Sequence, residues 1–157
     1  MYFLSPSKGR MTLEEMIRDI TCFIAENPQD SFRLVVGTDS QPRKETCFVT
    51  AVIIHREGKG ARFYYRKTHT PSMASLRQRI FREATESLEL AGKLMECFSG
   101  IYPQLAIEVH LDIGNQGKTG EFSQQVIGMI SMSGFLTRIK PFSYGATKVA
   151  DRYTKGY

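Results

Sequence analysis

An apolar run that ends in a carboxylate is the feature that most constrains how this chain folds. Residues 32–39 are rich in apolar and β-branched side chains, and the run finishes at Asp39 with Ser40 and Gln41 directly after it. Such a pattern predicts a buried strand. An acid where a buried strand gives way to a loop lies at the sheet edge where open α/β proteins bind ligands. The stretch therefore predicts a site at Asp39.

The order of the other elements predicts the class of fold. Two further apolar runs follow the first after short turns, which indicates an antiparallel meander of three strands. A long helix with an apolar stripe comes next, and then strands alternate with helices, as in crossover connections. The strands are predicted at residues 32–39, 46–55, 61–68, 105–112 and 135–141, and the helices at 72–98, 121–133 and 144–155.

This order, β-β-β-α-β-α-β-α, predicts an α/β fold with a five-stranded mixed sheet and helices on its faces. A further helix at residues 12–27 precedes the first strand, because Thr12 and Glu15 form a capping-box pattern before helically spaced apolar residues. We therefore expect one compact unit, with residues 1–30 as a helical extension and residues 31–157 as the main domain.

Composition and charge narrow the classes of function. The 157 residues include three scattered cysteines and no CxxC pair, which argues against a thiolate zinc site or a disulfide framework. The sequence contains neither a signal-peptide pattern nor a membrane-spanning run, so we expect a cytoplasmic protein without a membrane partner. The net charge is +5, and residues 56–82 hold eight basic residues against one acid. That zone favours nucleic acid as a partner, although a merely soluble basic surface would give the same composition.

Three more carboxylates are placed where they could meet Asp39. Asp112 ends the fourth predicted strand, and it emerges beside Asp39 if the two strands are parallel neighbours. On the long helix, helical phase puts Glu83 at the flank of the apolar stripe, Glu86 further out and Glu89 away from it. Asp151 lies in the last predicted helix. Each acid taken alone could also serve as a cap or an ion-pair partner.

Together, these acids predict a divalent-metal site. Closely placed carboxylates repel one another unless a cation lies between them, and hard oxygen ligands suit Mg²⁺ or Mn²⁺. Two such ions can activate water and stabilise the leaving oxygen of a phosphodiester.

A family resemblance supports the same interpretation. The element order and the positions of the four acids resemble the ribonuclease H-like superfamily over residues 32–157. More narrowly, the motifs at residues 37–41, 112–117 and 140–151 are similar to those of the little-characterised bacterial YkuK family. The resemblance implies a ribonuclease H-like fold with Asp39, Glu83, Asp112 and Asp151 as metal ligands and catalytic residues. The extra N-terminal helix lies outside the common core, and we assign it to homo-oligomerisation or to covering a sheet edge.

Several polar residues are candidates for holding the substrate. They are Ser40, His69, Arg77, Lys118, Lys148 and Arg152, all of them near a predicted acid or in a basic zone. A surface role explains His69 equally well, and solvated helix charge explains Lys148 and Arg152. His110 shares a strand face with Asp112, where it could reach the site or serve the structure.

Three functions remain open from the sequence. The first is a metal-dependent nuclease that hydrolyses phosphodiester bonds. The second is a non-catalytic nucleic-acid-binding or assembly module with the same fold. The third is nucleotide binding by an actin-like domain through the loop Gly114–Gly120, where glycines before a helix can cradle a phosphate.

Overall fold

A seven-stranded mixed sheet forms the centre of the fold. The computed structural model describes residues 1–114 and 120–155. The strands are β1 (Tyr2–Ser5), β2 (Gly9–Thr12), β3 (Phe32–Gln41), β4 (Glu45–Arg56), β5 (Gly60–Pro71), β6 (Ala106–Leu111) and β7 (Leu136–Arg138). Their order across the sheet is β2-β1-β5-β4-β3-β6-β7. All five predicted strands are present, and the predicted strand number is wrong because two more precede them.

The two additional strands form an N-terminal hairpin that extends the sheet beyond β5. Strand β1 pairs antiparallel with β2 over four residues and reaches β5 through Leu4 and Tyr65. Phe3 is fully buried and Met11 nearly so, and both join the main core. Strands of four residues show too little alternation to be distinguished from a loop. For this reason the sequence predicted only a helix in residues 1–30.

Helix α1 (Leu13–Ala25) confirms the predicted capping box. The Thr12 hydroxyl accepts a hydrogen bond from the Glu15 amide at 3.1 Å, and the Thr12 amide donates to the Glu15 carboxylate at 3.4 Å. The buried face of α1, with Met16, Ile20 and Ile24, packs into the main core. The N-terminal helix therefore covers one face of the sheet.

The strand pairing confirms the topology that the site requires. Strands β3, β4 and β5 form an antiparallel meander, and β6 pairs parallel with β3. The register sets Thr38 opposite Leu111. Since the next residues along the two strands are Asp39 and Asp112, both acids leave the sheet at the same edge.

Helices cover both faces of the sheet. The long helix α2 (Leu76–Phe98) and helix α3 (Gly120–Ser131) pack with α1 against one face. The opposite face is covered by the terminal segment, which runs as a π-helical turn (Gly145–Ala150) into the short helix α4 (Asp151–Lys155). The sequence predicted one regular helix over residues 144–155. Among the helices that the structure describes, none has the length and apolar character needed to cross a membrane.

The terminal segment lies so close to β3 that glycine is required on both sides. A Cβ atom on Gly37 would lie 2.6 Å from the Ala146 amide nitrogen and 2.7 Å from the carbonyl carbon of Gly145. A Cβ atom on Gly145 would lie 2.8 Å from a methyl group of Val35. Backbone-to-backbone contact of this kind leaves no space for even a methyl group.

We therefore expect Gly37→Ala to destabilise the protein by about 1–3 kcal/mol, because the added methyl group must push the terminal segment off the sheet. Urea unfolding would measure the loss. Gly92→Ala is the matched control, because Gly92 lies inside α2 and an added Cβ meets nothing within 4 Å. That control should be neutral or stabilising by up to ~1 kcal/mol. Equal stability of Gly37→Ala and the wild type would contradict the close docking.

Candidate functional site

The candidate site lies where β3 and β6 end, at one edge of the sheet. Asp39 is close to the end of β3, and Asp112 follows the last residue of β6. Asp39 is only 5% exposed, so its carboxyl group lies largely out of water. The structure places these two acids as the sequence predicted.

The other two carboxylates reach the same edge from helices on opposite faces. Glu83 comes from α2, is 5% exposed, and accepts a hydrogen bond from the Ser40 hydroxyl at 2.5 Å. Asp151 begins α4 on the other face, three residues before Thr154. The Thr154 hydroxyl lies 3.4 Å from an Asp39 carboxylate oxygen. Both faces of the sheet therefore contribute an acid to the edge where β3 ends.

The four acids share one cleft with a volume of about 380 Å³. The residues that line it come from β3, α2, the end of β6, and the segments on either side of the π-helical turn. They are Asp39, Ser40, Gln41, Pro42, Leu76, Arg79, Ile80, Glu83, Asp112, Lys140 and Asp151. The cleft therefore brings the four predicted acids together, with the cationic side chains of Arg79 and Lys140 beside them.

The carboxylates raise one another's affinity for protons. Burial raises the pKa of Asp39 to about 9, and the charge of Glu83, a hydrogen bond with Asp151 and the charge of Asp112 act in the same direction. Burial also raises the pKa of Glu83 to about 8, with a contribution from Asp112, while the Ser40 hydroxyl and the charges of Arg79 and Lys140 oppose it. At neutral pH and without a cation, the cluster therefore retains protons that isolated carboxyl groups would lose.

Two cationic side chains of the cleft were not predicted from the sequence. Lys140 Nζ lies 3.2 Å from an Asp112 oxygen, and an Arg79 guanidinium nitrogen lies 3.4 Å from the Ser40 hydroxyl. The Arg79 Nε atom is buried without a hydrogen-bond partner among the described residues. The sequence held a signal for Arg79, which lies one helical turn before Glu83. Lys140 reaches the cleft because it follows β7, which pairs parallel with β6.

The donor chemistry of the cleft fits a divalent cation, but the carboxylates do not form a finished ligand shell. Carboxylate oxygens are the ligands that Mg²⁺ and Mn²⁺ prefer. Within residues 1–114 and 120–155, no three acidic, His or Cys side chains are grouped closely enough to hold an ion. Glu83 is instead bonded to Ser40 and Asp112 to Lys140. An incoming cation would compete with these two contacts.

Most of the predicted substrate contacts lie elsewhere. Ser40 lines the cleft and bonds Glu83. His69 is exposed within β5, where the sequence predicted a loop, and Arg77 bonds Gln125 and lies over aromatic rings of the α2–α3 contact. Lys148 and Arg152 are exposed on the terminal segment and do not line the cleft. Lys118 and most of the loop Gly114–Gly120 lie outside the described residues.

Helical phase alone misplaced Glu86. Helical phase placed this side chain further out than Glu83, but Glu86 is only 8% exposed. Its carboxylate lies 3.0 Å from Arg66 of β5 and 2.8 Å from Arg82 on its own helix. A buried acid needs a partner, and here a strand supplies one that the helix sequence does not show. The choice of Glu83 for the site agrees with the geometry, and Glu89 is exposed as predicted.

The basic zone at residues 56–82 is less available to a partner than its sequence indicates. Within the part of the chain that the structure describes, at least five of its eight cations form ion pairs, four with acids from other segments and one with an acid on the same helix. Asp30 binds Arg56 and Lys59, and Asp19 binds Arg62. Of the eight cations, all of which the structure describes, Arg79 is the one that lines the acidic cleft.

Comparisons with known proteins agree with this geometry. The family profile described as Ribonuclease H-like matches residues 15–155, a span that contains all four acids. The chain is also 38% identical to the uncharacterized protein YkuK of Bacillus subtilis (strain 168) over 167 aligned positions, which cover 98% of this chain and 96% of that protein. No solved structure matches the chain.

Proposed function

Because the chain belongs to the ribonuclease H-like family and is of the YkuK type, we propose that it is a divalent-metal-dependent nuclease that hydrolyses phosphodiester bonds in nucleic acid. Family membership supports a nucleic-acid-related function. The observation that carries the finer proposal is the Asp39 carboxyl group, which is buried and faces the charges of Glu83, Asp112 and Asp151. A cluster of this kind binds protons or cations, and Mg²⁺ or Mn²⁺ relieves the repulsion at neutral pH.

Each acid has a role in this proposal. Asp39, central in the cluster, would contact both of two ions; Glu83 and Asp112 would contact one and Asp151 the other. The ions would supply an activated water and stabilisation for the leaving oxygen. To hold a cation, Asp39 and Glu83 would have to give up the protons that their raised pKa values retain at neutral pH. Asp112 would contact the cation in place of Lys140.

The cations of the cleft would hold the substrate. The Arg79 guanidinium group lines the cleft one turn away from Glu83, and its Nε atom has no partner among the described residues. A guanidinium group presents a planar fork of donors that matches phosphate oxygens. Lys140, once released from Asp112, offers a second charge for the same phosphate.

We expect Arg79→Gln to lower the cleavage rate about 10- to 100-fold, because a hydrogen bond to a charged phosphate contributes roughly 1.5–3 kcal/mol. Initial rates on a labelled oligonucleotide would measure the loss. Arg77→Gln is the matched control on the same helix, since Arg77 bonds Gln125 and does not line the cleft. If the Arg77 variant loses as much activity as the Arg79 variant, the cleft contact assigned to Arg79 is wrong.

The function itself is tested by incubating the protein with RNA, DNA and RNA–DNA hybrids. Each substrate is tried with Mg²⁺, with Mn²⁺ and with a chelator. The proposal expects cleavage of at least one substrate that the chelator abolishes and that added metal restores. Activity that persists in the chelator would identify a contaminating or metal-independent activity.

A second candidate is a nucleic-acid-binding module that has kept the fold without catalysis. The contacts Lys140–Asp112 and Ser40–Glu83 favour it, because protein groups already hold two of the carboxylates. This alternative expects binding that weakens steeply with salt, as counterion release requires, and no cleavage. It also expects Asp39→Asn to bind nucleic acid as tightly as the wild type.

A further inference from the structure

A buried histidine connects β6 to the segment that carries Asp151. His110 is fully buried on β6, and its Nδ1 atom accepts a hydrogen bond from the Gly145 amide at 3.1 Å. The other ring nitrogen, Nε2, lies 3.1 Å from a Glu108 carboxylate oxygen. Because Nδ1 accepts, the ring proton resides on Nε2 and is donated to Glu108.

The glutamate is itself held in place. Glu108 is 3% exposed, and its second carboxylate oxygen lies 3.2 Å from a nitrogen of Arg33. Arg138 approaches the first oxygen at 3.5 Å. A carboxylate with two guanidinium partners stays charged and fixed, so it fixes the orientation of the imidazole ring in turn.

The ring marks the start of the π-helical turn. Gly145 is the first residue of that turn, and the Tyr144 ring meets His110 edge-on at 4.7 Å between centroids. The turn runs without a break into α4, whose first residue is Asp151. Gly37 of β3 packs closely against the backbone of Gly145 and Ala146, so the first turn of the segment rests directly on the sheet. Because the helical backbone is continuous from Gly145 to Asp151, we expect a shift at Gly145 to displace Asp151 as well.

We propose that His110, oriented by Glu108, is a positioning residue that fixes the start of the terminal segment and so holds Asp151 against Asp39. The consequence for metal binding and cleavage rests on the proposed function. The anchoring itself does not, since it follows from the contacts of His110 and Gly145. His110 touches neither the substrate nor an ion in this scheme.

Two substitutions separate the two hydrogen bonds of the ring. His110→Asn places an amide oxygen near the position of Nδ1, where it can still accept from Gly145. His110→Gln places an amide group near the position of Nε2, where it can still donate to Glu108 but leaves Gly145 without an acceptor. His110→Asn removes more side-chain volume than His110→Gln, so a role in packing alone would make the asparagine variant the worse of the two, which is the opposite of the result expected here.

The measurements are hydrogen exchange of residues 144–155 and Mn²⁺ affinity by titration calorimetry. We expect His110→Gln to speed exchange in that segment alone and to weaken Mn²⁺ binding about 10- to 100-fold, as outer-shell partners do. His110→Asn should stay within about threefold of the wild type in affinity. Melting temperatures would show whether either variant is globally destabilised.

Equal exchange and equal Mn²⁺ affinity in both variants and the wild type would overturn the proposal, and so would equal losses in both. If neither variant folds, Glu108→Gln provides the test. It keeps an oxygen that accepts from Nε2 and removes the charge that fixes it, so it should speed exchange in the same segment. If the wild-type protein binds no Mn²⁺, the proposed metal-dependent function is wrong. The hydrogen-exchange data would still decide whether His110 anchors the terminal segment.

Discussion

Replacing Asp39 with Asn should abolish metal-dependent cleavage. Asp39 is the acid that faces the other three, and an amide cannot supply the anionic oxygen that a bridging ligand needs. Removing a group that only supports a metal ligand lowers metal affinity or activity about 10- to 100-fold. Removing the ligand itself should therefore lower the cleavage rate at least ~100-fold. Single-turnover rates at saturating Mg²⁺ or Mn²⁺ would measure the difference between Asp39→Asn and the wild type.

The control is a carboxylate outside the site. Glu89 is exposed on the same helix as Glu83, so Glu89→Gln should cleave at the wild-type rate. In the presence of a chelator, Asp39→Asn should bind nucleic acid as the wild type does. This result would show that the variant is folded and has lost only the reaction. The same residual rate in the wild type and in Asp39→Asn would identify the activity as contamination and leave the non-catalytic module as the function.

Raising the pH should destabilise the metal-free protein, and divalent metal should restore its stability. Asp39 and Glu83 have folded-state pKa values raised to about 9 and about 8, well above the values near 4 of an unfolded chain. For acids shifted upward, the unfolded chain loses protons first, so the stability that these two acids contribute is greatest below pH ~4 and is lost as the pH rises through their folded-state pKa values. Between pH 5 and 9 we expect the cluster to lower the melting temperature by roughly 5 °C or more.

Divalent metal should raise the melting temperature that high pH lowers. Since binding requires deprotonated carboxylates, the rise in melting temperature caused by Mn²⁺ should grow as the pH increases. In Asp39→Asn the melting temperature should depend less on pH, because the cluster has lost one of its acids. At pH 8 the metal-free variant should melt at a higher temperature than the metal-free wild type. Differential scanning fluorimetry with and without a chelator would measure both. If the melting temperatures of the variant and the wild type change with pH in the same way, Asp39 does not belong to a buried cluster of acids with raised pKa values.

The pairing of Asp39 with Asp112 was predictable because it depends on strand order and side-chain alternation. Residues 32–39 and 105–112 both show strong strand patterns, and crossover connections between parallel strands place their carboxyl ends together. The parallel register that sets Thr38 opposite Leu111 confirms that reasoning. Glu83 followed from helical phase, which put it at the flank of the apolar stripe of α2, although the same phase misplaced Glu86 on that helix.

The features that the sequence did not predict depend on contacts between distant segments. The N-terminal hairpin is stable because Phe3 and Met11 enter a core built by other elements. Glu86 is buried because Arg66 arrives from β5. Lys140 reaches Asp112 only because β7 lies beside β6. None of these partners is visible in the local pattern around the residue concerned, so periodicity could not identify them.

Crystals grown or soaked in Mn²⁺ and measured near the manganese absorption edge test the central claim most directly. The account predicts an anomalous peak in the cleft between Asp39 and Asp112. Carboxylate oxygens, with one from Glu83 or Asp151, should approach the ion to about 2–2.5 Å. It also predicts that Lys140 has moved away from Asp112. No peak in the cleft at saturating Mn²⁺, with the contacts Lys140–Asp112 and Ser40–Glu83 intact, would contradict the proposed metal-dependent nuclease.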